Sequence, residues 1–257
     1  MPPKPAPGHK YKINPIEGVL SYVNLWPKHS QVLNAGSEVC SEEGDSNSNS
    51  NSADLGVQLR KSVTAVYGAH VTEDGSGVDY ASLGASEEFK EYTSLAKQLA
   101  NVKVEDMEEG EKVAFFINTY NSLLIHAFAA MGTPGNMLSR LRLYAVASYR
   151  IGGHVYSLND IENGILRGNE KGPTPNAKRP FGSGDPRAAL ACKKPDARIH
   201  FALNCGARGC PPIRFYRAEQ IEKDLERATQ AFCGGVDVKE ESGEVGLSMI
   251  FKVGCCC

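Results

Sequence analysis

The chain has 257 residues, a formal net charge of −2 at pH 7, 41% hydrophobic and 23% charged residues. That length and balance describe a globular protein of one large or two small domains, and the near-neutral charge gives no basic field of the kind nucleic-acid binding uses. Eight cysteines occur, three of them in the terminal run 255–257, and without a secretory leader they do not read as a disulfide framework. The opening MPPKPAPGHKYKINP is proline-rich and basic and lacks the apolar segment of a signal peptide, so a cytoplasmic or other intracellular location is expected.

Residues 1–12 read as an extended tail. EGVLSYVNLWPKHSQVL suggests a short helix broken at Pro27. SEEGDSNSNSNSADLG, residues 41–56, is polar and low in complexity, and reads as a flexible insertion in a surface loop. SEEFKEYTSLAKQLA predicts a helix with Ser86 as N-cap and Phe89, Tyr92, Leu95 and Leu99 on one face. EDMEEGEK is an acidic solvated turn or first helical turn. VAFFINTYNSLLIHAFAAM, residues 113–131, carries no Asp, Glu, Lys or Arg and approaches the length of about 20 residues that spans a bilayer. Asn118, Asn121, Ser122 and His126 would be costly in lipid, so it reads as a buried helix of a globular fold, with no transmembrane segment.

MLSRLRLYAVA, with Arg140 and Arg142, predicts another helix. YRIGGHVYSL reads as a hairpin about Gly152-Gly153. In SLNDIENGILRG, Ser157 and Asp160 form a capping-box pattern and Gly168 a stop. NEKGPTPNAKRPFGSGDPR is a long Gly/Pro-rich loop. RIHFALN alternates Ile199, Phe201 and Leu203 against His200, Ala202 and Asn204, and predicts a strand ending at Cys205. RAEQIEKDLERATQAFC is an amphipathic helix with Ile221, Leu225 and Phe232 inward, and VDVKEESGEVGLSMIF suggests a hairpin. Helices outnumber strands and the strands come in hairpins. The expected class is α+β: a helix-rich single domain with a small, mainly antiparallel sheet around the buried neutral helix.

Chemistry concentrates in two places. On the neutral helix, Asn118, Asn121 and Ser122 form one polar stripe, while His126 lies about 80° from Asn118 and about 140° from Asn121 at about 3.6 residues per turn. Buried polar groups need partners, so the stripe is either a structural hydrogen-bond network or part of a substrate site. In HFALNCGARGC, Cys205 sits where a strand meets a glycine loop that could offer backbone donors. Arg198, Arg208 and Arg214 could favour its thiolate, and His200 or His126 could act as base. The alternative is a small buried cysteine at a turn. Cys205 and Cys210 are spaced C-x4-C, neither the thioredoxin nor the zinc-ribbon spacing, and no second cysteine pair completes a structural zinc site. Glu162 could be a general acid or base, or pair with Arg167. No phosphate-binding glycine loop, paired acidic motif or G-x-S-x-G occurs.

AFFINTYNSLLIH, YSLNDIENGILRG, DPR and DARIHFALNCGARGCPPI, with VDYASL before and LSMIFK after, resemble the domain of unknown function 547 family, in family order over about residues 78–252. The family's signature falls on Asn118, Tyr120, Asn121, His126, Glu162, Arg167, Asp196, Arg198, His200, Asn204, Cys205, Cys210 and Pro211. Many members have histidine at the position of Asn163, a departure that bears on any chemistry needing that histidine. Members continue beyond IFK with an aromatic pair and a further helical stretch, whereas this chain ends IFKVGCCC. That ending is expected to be a read-through into an intron rather than a lipidation tail, because no C-a-a-X signal is present.

The organisation expected is an N-terminal extension over 1–56 with its low-complexity loop at 41–56, the family domain over 57–252, and an atypical tail over 253–257. The leading functional expectation is a thiol-dependent hydrolase or acyl transferase acting on a small-molecule or peptide substrate. Cys205 would be the nucleophile and His126 or His200 the base, with Asn118, Asn121 and Glu162 completing the catalytic set. Tyr120, Arg167, Arg198, Asn204, Arg208 and Cys210 would contribute binding, and no cofactor or metal is expected. The alternatives are thiol redox chemistry by Cys205 and Cys210, and a non-catalytic structural or interaction module.

Overall fold

The computed structural model describes residues 30–36, 48–73, 77–171, 178–204, 206, 213–234, 237–239 and 244–246. The expected helix over 17–33 lies outside the described residues except for its last four, of which Gln31 and Val32 form a strand instead, and residues 41–47, Cys205, Arg208, Cys210 and the terminal run also lie outside them.

The spine is helix α4, Glu109–Met131. Its charged residues are confined to its first turn, and from Ala114 to Phe128 almost every side chain is buried. A helix apolar on all sides must be covered on all sides. An 18-residue window has mean hydropathy 1.3, long and apolar enough to cross a membrane by composition, yet 78% of it is buried inside this fold. Helices α1 (Ser48–Ala69) and α2 (Tyr80–Ala85) pack on α4, and α3 (Glu87–Ala96) packs on α1 and α2. Asp79 caps α2, and the predicted Ser86 cap of α3 is present, accepting from Phe89 N.

The Ser/Asn tract departs from its expected state. Residues 48–56 belong to α1 rather than to a loop. The physical reason is tertiary: Leu55, Leu59, Val63 and Val66 form a buried stripe at helical spacing, and packing of that stripe extends the helix over residues of modest propensity.

Helix α5, Met137–Val146, runs directly into strand β2, Ala147–Ile151. Strand β3, His154–Ser157, returns antiparallel through Gly152 (φ 53°) and Gly153 (φ 80°), the paired positive φ of a tight hairpin turn. The described sheet also contains a strand not anticipated, β1 at Gln31–Val32, which pairs parallel to β2. Asn34 follows it, fully buried, and its amide reaches Ala96 O and both the N–H and the carbonyl of Arg150.

After β3, Ser157 and Asp160 make the predicted reciprocal box, and the chain enters a seven-residue π-helical segment, Asp160–Leu166. The segment packs on α4, is capped at Arg167, and is followed by Gly168 at φ 67°. RIHFALN is not a strand. Ala197–Phe201 is a 3-10 turn, started by Asp196 accepting from Arg198 N. Alternation of apolar residues suited a strand, but an aspartate ahead of the run offers the local cap that favours a turn. Asp185 and Arg187 do the same at the 3-10 turn Pro186–Leu190. Helix α6, Ile221–Cys233, buries Ile221, Leu225 and Ala228, with Phe232 half-buried beside Phe201. Strands β4 (Asp237–Lys239) and β5 (Glu244–Gly246) form the second hairpin.

Candidate functional site

The π-helical segment places Glu162 against α4. In an α-helix the N–H of Arg167 would bond residue 163; here it bonds Glu162 O at 3.0 Å, five residues back. The wider turn directs Glu162 toward Tyr120, whose hydroxyl donates to Oε2 at 3.4 Å. Such single π turns recur at functional positions. On its other side, Glu162 Oε1 stands 4.0 Å from Nδ1 of His200, carried by the 3-10 turn at Ala197–Phe201. Glu162 keeps 22% of its side-chain surface open to solvent, while His200 keeps 6%.

The two groups are pushed in opposite directions. Burial raises the Glu162 carboxyl above its usual range, opposed by Arg167 and by the Tyr120 hydrogen bond. Burial, reinforced by the positive charge of Arg167, lowers His200 to about 4. His200 is therefore neutral at neutral pH and able to accept a proton, and an imidazolium formed there would face a carboxylate. Paired titratable groups perturbed by a shared environment are a mark of acid–base sites. Tyr120 is held protonated, first by burial and then by Glu162 itself, and serves as donor. Arg167 is turned aside by Asn163, whose Oδ1 accepts from Nη1 at 3.2 Å.

The asparagine stripe of α4 holds the chain that carries this site. Asn121 accepts from Asn204 N at 2.9 Å and donates to Ala202 O at 3.1 Å. Asn118 accepts from Tyr216 N and donates to Tyr216 O, at 2.9 and 2.7 Å. Asn204 Oδ1 then accepts from Gly206 N at 2.7 Å, closing an Asx turn between residues 204 and 206. Gly206 has φ +66°, and a Cβ there would lie 2.4 Å from the Phe128 ring. Only glycine meets both conditions.

Other expected residues lie elsewhere. His126 is 5% exposed, in a cage of Phe89, Tyr92 and Tyr149, with Nδ1 2.8 Å from Tyr149 Oη. Arg198 is engaged by Asp196, Glu222 and Glu226 on the α6 side, so its charge is spent on a surface ion network. Of the described cysteines, Cys192 is buried and pushed up to about 12 by burial, and Cys233 is exposed. Among the described residues no group of three His, Cys, Asp or Glu could hold a metal ion.

Sequence reasoning missed Tyr144 and gave Arg140 no role. Tyr144 is half-buried, and its hydroxyl feels the charges of Arg140 and Glu162. The sequence signal was weak, because an arginine and an aromatic one helical turn apart on an amphipathic helix are ordinary.

Residues 104–233 match the family model described as "Protein of unknown function, DUF547". That span is just over half of the chain and contains Tyr120, Glu162, Arg167 and His200 together with the α4 clamps. The chain belongs to the DUF547 family. The DUF547 match is narrower than the 78–252 span suggested by motif resemblance, and it stops at the end of α6. Neither the curated proteins nor the solved structures contain a match to the chain.

Proposed function

We propose that this DUF547 protein is a hydrolase or acyl transferase in which His200 is the general base, Glu162 its orienting carboxylate and Cys205 the nucleophile. The observation that carries the reading is the approach of Glu162 Oε1 to His200 Nδ1 beside the Tyr120 hydroxyl. A carboxylate facing Nδ1 favours the tautomer with the proton on Nδ1, in which Nε2 carries the lone pair that accepts a proton. The 4.0 Å separation is loose, and catalytic contacts commonly tighten when substrate arrives.

His200 Nε2 takes the Cys205 thiol proton as sulfur bonds to the substrate's carbonyl carbon. The imidazolium returns that proton to the leaving group as its bond to carbon breaks, leaving a thioester. Water, or an acceptor alcohol or amine, then attacks with His200 again as base, and sulfur recovers the proton. A neutral imidazole with a pKa of about 4 cannot preform an ion pair with the thiol, so proton removal accompanies attack.

The test is alkylation of the full chain by iodoacetamide at pH 7, with each cysteine followed by peptide mass mapping. Cys205 is expected to react about a hundredfold faster than exposed Cys233, the low end of what a positioned base supplies. His200→Ala and Glu162→Gln should both remove that advantage. A Cys205 that reacts no faster than Cys233 in the wild type rejects the thiol reading. In that case the asparagine clamps favour the second reading, a non-catalytic module whose signature residues maintain its shape.

A further inference from the structure

We propose that Phe181 is a positioning residue for the Glu162–His200 pair: its ring, seated on Gly164, holds the π-helical segment in the register that aims Glu162 at His200. The proposal rests on the acid–base reading of that pair and assigns a role to residues 179–190, which reach the pair only through the segment.

A π turn is rare, and contacts from outside Asp160–Leu166 hold this one. The first is at Gly164, in the middle of the segment. Gly164 is buried, and a Cβ there would lie within 2.9 Å of three carbons of the Phe181 ring. The backbone at Gly164 is not left-handed, so it is the ring, and not the chain conformation, that requires glycine. Phe181 is itself fixed at 1% exposure. Its N–H donates to Asn169 Oδ1 at 2.8 Å and its carbonyl accepts from Asn169 Nδ2 at 3.0 Å. Asn169 stands just past Gly168 at φ 55°, and its own carbonyl accepts from Arg179 Nη1 at 2.9 Å. The strand of chain that brings the ring is thus tied to the end of the segment on which the ring sits.

The second contact is at Asp160, where the segment starts. Arg187 Nη1 donates to Asp160 Oδ2 at 3.2 Å and to Val155 O at 2.6 Å. Its guanidinium carbon lies 4.4 Å from the centre of the Phe181 ring, within cation–π range. Asp185, in the D-x-R turn that carries Arg187, takes Nε and Nη2 at 3.0 and 2.8 Å. Arg187 therefore clamps the start of the segment and covers the ring that seats its middle. Glu162 lies between the two held points. Losing the extra residue of the π turn would rotate a side chain by about 100°, the angle of one residue in an α-helix. That is enough to carry Glu162 Oε1 away from His200 Nδ1, now 4.0 Å distant.

The test reads the ring nitrogens of His200 by 15N NMR in the full chain at pH 7. His126, in its own cage of Phe89, Tyr92 and Tyr149, is the internal reference. Both rings are neutral at that pH, so each pair of signals reports a tautomer. In the wild type the carboxylate keeps the His200 proton on Nδ1. In Phe181→Ala the proton should move toward Nε2, the nitrogen that carries it in an unperturbed imidazole, while the His126 signals stay in place. Phe181→Leu, which keeps apolar bulk but loses the flat face, should give a smaller shift in the same direction, and it carries the test if Phe181→Ala does not fold. Gly164→Ala should act as Phe181→Ala does. The Gly164→Ala/Phe181→Ala double variant should move His200 no further than Phe181→Ala alone, because the added methyl then has no ring to meet. The hundredfold advantage of Cys205 over Cys233 in alkylation should be lost in step with the tautomer. His200 signals unchanged in the folded Phe181 variants, or His200 and His126 signals that shift together, overturn the proposal. Unchanged His200 signals beside a fast Cys205 reject the role of Phe181 and leave the thiol mechanism. A His200 tautomer that follows Phe181 in a protein whose Cys205 is no faster than Cys233 rejects the thiol mechanism alone.

Discussion

His126 and His200 hold neutral imidazoles for one dominant reason, burial, which lowers each to about 4 from an ordinary 6.5. A folded-state pKa below the unfolded value means the folded protein binds fewer protons between pH 6.5 and 4. Stability is therefore full above about pH 6.5 and falls as pH drops toward 4, by about 3 kcal/mol for each histidine. Urea unfolding from pH 7 to pH 4 should show this loss. His126→Phe, which fills the cage of Phe89, Tyr92 and Tyr149 without a titrating ring, should remove about half of the histidine part of it. An unchanged pH profile in that variant would mean that His126 does not set it. The sequence distinguished these residues only partly. The helical angle correctly turned His126 away from the Asn stripe, but nothing in the residue types said that a cage of aromatics received it. His200 was a candidate base on the assumption of a strand; the 3-10 turn gives it a different neighbour, Glu162.

Short elements, rather than long ones, set the geometry of the site. Apolar periodicity made α3, α5 and α6 legible and the uncharged run made α4 so, whereas α1 was hidden behind its Ser/Asn start. The π-helical segment and the two D-x-R turns were not, because each is decided by one or two side-chain-to-backbone bonds that periodicity does not register. In each D-x-R turn the aspartate accepts from the N–H two residues on and from the arginine Nε: Asp185 with Arg187, and Asp196 with Arg198. The carboxylate thus caps the turn and is itself held in place. Asp196→Ala should cost about 1 kcal/mol, the usual worth of such a cap, and leave the Arg198 charge facing only Glu222 and Glu226. Asp196→Asn should recover most of the stability, since its carbonyl oxygen can still accept from Arg198 N. Chemical denaturation of the three proteins separates the cases: equal loss in both variants would assign the effect to the ion pair instead.

At the scale of the molecule, four asparagines among the described residues bond backbone as a neighbouring strand would. Asn34 bonds both the N–H and the carbonyl of Arg150, Asn118 those of Tyr216, and Asn169 those of Phe181; Asn121 bonds Asn204 N and Ala202 O. Each primary amide presents the donor and acceptor that a neighbouring strand would offer. The backbone groups of Ala202, Asn204 and Tyr216 need such partners, because buried backbone groups left unpaired cost about 1–3 kcal/mol each. These bonds span 81 to 98 residues of sequence, so the part of the chain that carries His200 is fastened to α4 by side chains instead of by a sheet. Such a fastening should open locally, below the free energy of global unfolding. In the Asn118→Ala/Asn121→Ala double variant, amide hydrogen exchange should accelerate at Asn204 and Tyr216 while the middle of α4, around Leu123 and Leu124, stays protected. Both backbone N–H groups lose their acceptors directly, whereas α4 keeps its own helical bonds and its buried stripe. Uniform acceleration through α4 would instead make the clamps part of the global unfolding unit, and the site would then be as rigid as the core it rests on.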